Sequence, residues 1–326
     1  MKKILIFSNQ EQIGDGIIKL PFIYEVKLRF PDYVFFWATN SGKTVYNGSL
    51  KSIANNYIDF IYEKIPLISY FLRIKSQKYD LNQKFDIIID TQKTFIKSLA
   101  LKSLKSKIFI SSSANWILSD IKPNSKINIK NQYYLDNLFL MLNLVSAPKK
   151  DNLNFDIKFP TILSNEINNI FDKNKKYFGF APGSATKIRI WNLQNFLDVA
   201  NYFEKLNFIP TFFLGPLEKE LKETIINKVP NAFFPEDLII NFSGPQVVMA
   251  SSKHLMCSLA NDSGTSHMLS IGSKYLIKII GPTTSKFTAK NKRFFLIQSK
   301  DYGGEDVNLI KPYDVISFIE NNNLLN

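Results

Sequence analysis

The chain has 326 residues, of which 45% are hydrophobic and 21% are charged. This composition excludes a disordered protein, and the length favours two domains of about 150 residues each. Cys257 is the single cysteine, which excludes an internal disulfide framework and fits a reducing compartment. With only two histidines beside it, a zinc site built from Cys and His is not expected.

The formal net charge is +13. Because the chain is also rich in Asn and Ile, this charge fits a general compositional bias as well as it fits a basic binding surface. A positive field still attracts phosphorylated ligands, nucleic acid or anionic lipid headgroups. The N-terminal apolar run is too short for a signal peptide, and the run 138–147 is about half a membrane span. We therefore expect a cytoplasmic protein without a membrane span.

In the first half of the chain, short apolar runs alternate with helical segments. Helices are predicted from Ile17 to Phe30 and from near Thr91. The runs predicted as strands are 3–7, 33–38, 85–90 and 107–110. This alternation predicts an α/β fold with a mainly parallel sheet.

The same pattern restarts after residue 160. Helices are predicted over 192–206, over 217–228 and from near Thr265. The predicted strands are 177–182, 208–215, a run ending at Asp262, and 275–280. The Asn-, Asp- and Lys-rich segment 150–175 is the expected linker. Two consecutive α/β domains would place ligands at the carboxyl ends of their strands, in a cleft between the domains.

The stretch ANDSGTSHML (260–269) joins a strand end to a tight turn and a helix start. Asp262 or Ser263 can cap that helix, and Gly264 allows close approach of a ligand. First-turn N–H groups and the helix dipole favour an anion there, which predicts a phosphate or pyrophosphate site. An ordinary capped helix remains the alternative. A Ser hydrolase is disfavoured because the G-x-S-x-G frame is absent.

Two further loops of the second half carry weaker signals. In APGSATKIRIWN (181–192), Lys187 and Arg189 follow a Gly-Ser turn, which suits a phosphate. A plain strand-to-helix loop with incidental basic residues is the alternative. In LGPLEKE (214–220), Glu218 is expected to open the next helix, where it either compensates the dipole or accepts hydrogen bonds from ribose hydroxyls.

The segment QIGDGIIKLPFI (12–23) follows the first predicted strand. Its glycines would hold the loop close to a ligand, and Asp15 would lie at the carboxyl end of the sheet as a general base. A helix N-cap is the alternative role. The spacing does not fit G-x-G-x-x-G, so a dinucleotide fingerprint is not supported.

Together these motifs resemble the heptosyltransferase family, family 9 of the glycosyltransferases, over nearly the whole chain. The resemblance is strongest at NDSGTSH (261–267), which matches the family's Asn-Asp-Ser/Thr-Gly-x-x-His element. The other matching segments are IGDGIIKLP near the N-terminus, PGSATKIRIW, LGPLEKE, FSG (242–244) and GPTT (281–284). Arg189 and Asn192 depart from the family's usual Lys and Pro around the Trp, which leaves the donor open.

The resemblance implies a GT-B fold, with two Rossmann-like domains whose mainly parallel sheets face a central cleft. Residues 1–160 would bind the acceptor and residues 161–326 the nucleotide sugar, and a return of the last helix to the N-terminal domain is left open. The reaction implied is sugar transfer with inversion and without a metal or other cofactor. The donor would be a nucleotide sugar such as ADP-heptose, and the acceptor a lipopolysaccharide core or another surface glycan, not a nucleic acid.

The resemblance also implies roles for single residues. Asp15 would be the catalytic base and Glu218 the ribose ligand. The donor phosphates would be bound by residues from the two Ser-Gly turns, namely Ser184, Lys187, Arg189, Asp262, Ser263, Gly264, Thr265 and His267.

The acceptor side is less specific. Gly14, Lys64 and Arg73 are the candidates, the last two from the basic and apolar stretch 63–80. This stretch and the run 97–107 would meet a phosphorylated lipid acceptor or the anionic inner face of the plasma membrane, or would simply be amphipathic structure. Three further alternatives stay open: another nucleotide sugar as donor, an epimerase, and a catalytically silent nucleotide- or glycan-binding protein.

Overall fold

The computed structural model describes residues 1–67, 81, 83–124, 133–148, 155–282 and 292–325. The chain divides into two compact domains, Met1–Phe155 and Asp156–Asn326. Within the described ranges each domain holds one parallel sheet of five strands with flanking helices. The predicted α/β class with two Rossmann-like domains is confirmed.

The first sheet has the strand order β3-β2-β1-β4-β5, and all its pairs are parallel. Its strands are β1 (Lys2–Phe7), β2 (Tyr33–Ala38), β3 (Phe60–Tyr62), β4 (Phe85–Asp90) and β5 (Ser106–Ser111). Phe7 pairs with both Ala38 and Asp90, so the carboxyl ends of β1, β2 and β4 lie side by side. The bounds of β2 and β4 are as predicted, whereas the three-residue β3 was missed.

The first domain has the helices α1 (Ile13–Arg29), α2 (Lys51–Ala54), α3 (Phe95–Lys102) and α4 (Tyr134–Asn143). The predicted start of α1 at Ile17 is wrong, because the helix begins four residues earlier at Ile13, with Gln12 as its N-cap. The predicted helix start near Thr91 is also wrong. The backbone N–H and the hydroxyl of Thr91 both donate to the carbonyl of Phe7, which ties this residue to the sheet edge.

The second sheet has the order β10-β9-β8-β6-β7, again all parallel. Its strands are β6 (Lys176–Ala181), β7 (Phe208–Phe212), β8 (Leu255–Asn261), β9 (Tyr275–Ile280) and β10 (Phe294–Gln298). The bounds of β9 are as predicted and β10 was missed. The predicted extension of β7 to residue 215 is wrong, because Gly215 begins a turn. The carbonyl of Gly215 accepts a hydrogen bond from the N–H of Glu218.

Helices flank this second sheet along the chain. They are α5 (Thr161–Ile170), α6 (Leu193–Glu204), α7 (Leu221–Lys228), α8 (Pro235–Leu238), α9 (Gly244–Ser252), α10 (Gly264–Leu269) and α11 (Pro312–Asn321). The segment 150–175 is therefore not a plain linker, because it contains α5 with Leu163 and Ile167 buried. The last helix, α11, contributes Val315 and Ile319 to the core of the second domain. None of the helices in the described ranges has the length and apolarity that a membrane span requires.

Both sheets contain a point where the strand order reverses direction. In the first domain this point lies between β1 and β4, and in the second between β6 and β8. Open α/β sheets bind ligands beyond the carboxyl ends of their strands at this point. The segment after β1 leads to Asp15, and the segments after β6 and β8 are the two predicted phosphate loops.

Candidate functional site

The two predicted phosphate loops of the second domain are joined by Asn261, the fully buried last residue of β8. Its side-chain amide donates to the carbonyl of Pro182 over 2.6 Å, and its Oδ1 accepts from the backbone N–H of Trp191 over 3.1 Å. One side chain thus holds both ends of the loop 182–191 against the end of β8. The two motifs, about eighty residues apart in sequence, form one structural unit.

Asp262 is the centre of the polar contacts in this unit. The Ser184 hydroxyl donates to its carbonyl oxygen over 3.4 Å. Its carboxylate is shared between two cations, with Lys278 Nζ 2.8 Å from Oδ1 and Arg189 Nη1 3.7 Å from Oδ2. Lys187 is exposed in the same short 3-10 turn as Arg189. The structure therefore brings together three of the predicted site residues, Ser184, Arg189 and Asp262.

The helix after Asp262 begins where it was predicted, within one residue of Thr265. β8 ends at Asn261, Ser263 is the N-cap, as one of the two predicted candidates, and α10 starts at Gly264. Ser266 secures this start, since its hydroxyl donates to the Ser263 carbonyl over 2.7 Å. Ser263 Oγ is buried and makes no hydrogen bond to any residue that the structure describes. A buried polar atom left in this state is a candidate ligand contact.

His267 lies in the same turn of α10. Burial lowers the pKa of its imidazole to about 3, with a further contribution from the charge of Lys278 and a smaller opposing one from Asp262. His267 is therefore neutral near pH 7 and can donate one hydrogen bond and accept another there. A Ser–His nucleophile pair needs a hydrogen bond between the two side chains, which Ser263 lacks within the described residues.

Glu218 does not open a helix as predicted, because the Gly215-Pro216 turn continues through it and α7 begins at Leu221. Its carboxylate instead lies over the first phosphate loop. A Cβ atom added to Gly183 would be 2.5 Å from Glu218 Cδ, and one added to Gly215 would be 2.5 Å from Oε2. Both glycines are therefore needed for this close approach, which places a carboxylate directly beside the Gly-Ser turn.

In the first domain, Asp15 lies in the first turn of α1 and is partly exposed. Its Oδ2 accepts a hydrogen bond of 3.2 Å from the backbone N–H of Gln12, so it stabilises the helix start instead of projecting from a loop. The other predicted acceptor-side residues are dispersed. Gly14 is buried in the same turn, and Lys64 is exposed after β3 with a left-handed φ of 55°. Arg73 and the rest of 68–80 lie outside the described residues.

A buried ion pair next to Asp15 was not predicted. Lys19, one turn further along α1, donates to Glu11 Oε1 over 3.2 Å and to the Ser8 hydroxyl over 2.7 Å. The other oxygen of Glu11 accepts from the Thr44 hydroxyl over 2.8 Å. These contacts fix the segment between β1 and α1. The available signal was a lysine inside the apolar face of a helix, in the run IIKLPF.

No protein-family model matches the sequence, and neither does any curated protein. Solved structures do match. A family 9 glycosyl transferase from Veillonella parvula aligns with 99% of this chain and 97% of its own, at TM-score 0.73 and 17% identity. The E. coli heptosyltransferase WaaC, solved with ADP-2-deoxy-2-fluoro heptose, aligns with 98% of this chain and 99% of its own, at TM-score 0.70 and 13% identity.

The chain has the fold of the family 9 glycosyltransferases. This confirms the predicted GT-B class. A putative UDP-N-acetylglucosamine 2-epimerase from Listeria monocytogenes is more distant, at TM-score 0.51 and 11% identity over 100% of this chain and 90% of its own.

One residue of the second-domain site that the sequence analysis did not predict is Lys278. It lies on β9 and is 1% exposed. Its only sequence signal is a charge inside the apolar run YLIKII. The predicted independence from metal remains a prediction; the described residues contain no group of three or more His, Cys, Asp or Glu side chains that could bind a metal ion.

Proposed function

We propose that the protein is an inverting, metal-independent glycosyltransferase that uses a nucleotide diphosphate sugar. ADP-heptose is the proposed donor, and a lipopolysaccharide core or other surface glycan the proposed acceptor. The main support is the meeting of the two predicted phosphate loops at the strand-order reversal of the second domain. The fold adds to it, because WaaC shares this fold and was solved with a fluorinated ADP-heptose.

In this proposal the second domain binds the donor. Arg189 and Lys187 supply charge, and Ser184 and the unpaired Ser263 hydroxyl supply hydrogen bonds to the diphosphate. The backbone N–H groups at the start of α10 and the neutral His267 add further donors. Glu218 accepts hydrogen bonds from the ribose hydroxyls. Fixed donors of this kind stabilise the charge that develops on the leaving diphosphate.

Asp15 of the first domain is the proposed base. It takes the proton of the acceptor hydroxyl while that oxygen forms a bond to the anomeric carbon. The bond between this carbon and the donor phosphate breaks on the opposite face, which inverts the configuration. Gly14, Lys64 and Arg73 are proposed on the acceptor side, where the two cations would attract a phosphorylated glycan.

The exposed face of α3 supports a membrane-associated acceptor. Phe95, Ile96 and Leu99 are 44%, 74% and 37% exposed, whereas Ser98, Ala100 and Leu101 of the same helix are buried. The segment 91–124 carries six lysines and one aspartate, which is a net charge of +5. An exposed apolar face in a segment of net positive charge fits the surface of an anionic bilayer. We therefore propose peripheral membrane contact through α3, at the same sheet edge as Asp15.

Calorimetric titration with ADP, UDP, GDP and CMP tests the proposed function. We expect ADP to bind most tightly, with an affinity at least about tenfold above UDP. A preference for UDP would overturn the ADP-heptose assignment. It would favour another nucleotide sugar as the donor, or the epimerase alternative. If none of the nucleotides binds, the donor site itself is disproved.

A further inference from the structure

Lys278 is a buried cation in the middle of an apolar strand. β9 reads YLIKII, and Lys278 is 1% exposed between buried neighbours. It pairs in register with Ala260 of β8, two residues before Asp262. Its ammonium lies 2.8 Å from Asp262 Oδ1, and burial lowers its pKa. A buried charge is costly even when it is paired, so its presence here needs a reason.

Stability alone is a poor reason for this ion pair. Replacing both partners of a buried pair by apolar residues is often neutral or stabilising, and the rest of β9 is Tyr, Leu and Ile. Asp262, however, is not a core residue. Its side chain is 17% exposed, and its backbone carbonyl accepts from Ser184 of the first phosphate loop. Lys278 is therefore directed from the core towards the proposed diphosphate site.

The charges at this site depend on Lys278. Arg189 and Lys278 contribute +2 and Asp262 contributes −1, while His267 is neutral. Lys187 and Glu218 of the same proposed site add +1 and −1, so these described groups sum to +1. Without Lys278 the remaining groups would cancel to zero. Arg189 would then form the only ion pair with Asp262 among these groups and would be less available to a ligand. A site for an anion with a carboxylate at its centre needs this second cation.

We propose that Lys278 is a positioning residue that holds and neutralises Asp262, so that Arg189, which makes only the longer contact with this carboxylate, can bind the donor diphosphate. This inference rests on the proposed function, because it assumes that the ligand at Asp262 is the diphosphate of a nucleotide. It adds a residue that acts through Asp262 and sets the sign of the charge at the site.

The first test replaces Lys278 by Met, which keeps the chain length and removes the charge. We expect ADP to bind about tenfold more weakly, while adenosine, which lacks the diphosphate, binds as to the wild type. Lys228→Met, at an exposed lysine of α7, is the matched control and should change neither affinity. Equal weakening of ADP and adenosine would show a general structural defect and overturn the inference.

The second test is the double variant Lys278→Met with Asp262→Asn. It removes both partners of the ion pair, so it leaves no unpaired buried charge even if the single variant does not fold. The site then again has a net charge of +1, and ADP affinity should be at least about threefold higher than in the Lys278→Met single variant. If the affinity does not recover, the charge argument is wrong. Absence of ADP binding by the wild-type protein would refute the proposed function itself. Normal ADP binding by the Lys278→Met variant would refute only the role of Lys278.

Discussion

Asp90, the last residue of β4, is a fully buried carboxylic acid. Its oxygens accept hydrogen bonds from the hydroxyls of Ser98 and Ser111 and from the backbone N–H of Gln92. Burial raises its pKa to about 6, against the hydrogen bonds, which lower it. The folded protein therefore binds this proton more tightly than the unfolded chain does.

The raised pKa predicts how stability depends on pH. The contribution of Asp90 is fully present below about pH 4 and is lost as the pH rises to about 6. The stability difference between wild type and Asp90→Asn should therefore shift by about 3 kcal/mol against the wild type over this range. Urea unfolding of both proteins at a series of pH values measures this difference.

Comparing wild type with Asp90→Asn at each pH cancels the contributions of other groups that titrate in the same range. His267 acts with the opposite sign, since its lowered pKa gives stability that is lost as the pH falls from 6.5 towards 3. Asp32→Asn, at an exposed site of the same domain, is the control for removing one aspartate charge. A flat difference for Asp90→Asn would show that its burial does not perturb this proton.

Helix α3 is unusual because several of its apolar side chains face the solvent. A surface helix normally turns its apolar stripe to the core and its polar residues to water. In α3, Ser98 is buried and bonded to Asp90, and this contact fixes the rotation of the helix. Ile96 and Leu99 are consequently directed outwards. Exposed apolar patches of this kind commonly mark interaction sites.

Membrane contact through α3 predicts a specific loss. Ile96→Ser combined with Leu99→Ser should weaken binding to vesicles of phosphatidylglycerol and phosphatidylcholine by at least about tenfold, measured by cosedimentation. Ile162→Ser, at a 67% exposed position of α5, is the control for removing a surface isoleucine. Unchanged sedimentation of the double variant would refute the contact, and equal binding to vesicles without the anionic lipid would refute its electrostatic part.

The elements differ in how well the sequence predicts them. β2, β4 and β9 were predicted to the residue, because continuous apolar runs bounded by polar residues are typical of buried parallel strands. The start of α1 was not, because the Gln12 cap is not among the residues usually favoured at this position. β3 and β10 are short edge strands whose pairing depends on the neighbouring strand.

The candidate site shows the same limit. Ser184, Arg189 and Asp262 were found because each lies in a recognisable turn after a strand. Lys278 and the position of Glu218 were not, since their partners Asp262 and Gly183 are distant in sequence and are brought near only by the packing of the sheet and its loops. Local patterns predict turns and caps, but they do not predict which cation will pair with which carboxylate.

At the scale of the whole molecule, the proposed reaction needs both domains. The proposed base, Asp15, belongs to the first domain, and the residues proposed to hold the diphosphate belong to the second. The two sheets have different strand orders, yet each carries its candidate residues at the carboxyl ends next to the order reversal. Donor binding and proton removal should therefore be separable by mutation.

ADP release from ADP-heptose in the presence of a lipopolysaccharide-core acceptor, measured for Asp15→Asn alongside its ADP affinity, tests this division most directly. We predict that turnover falls by about 10² to 10⁴, whereas the dissociation constant for ADP stays within about twofold of the wild type. Asp32→Asn should leave both quantities unchanged. Wild-type turnover in Asp15→Asn, or a loss of ADP binding that accounts for the loss of turnover, would contradict the account.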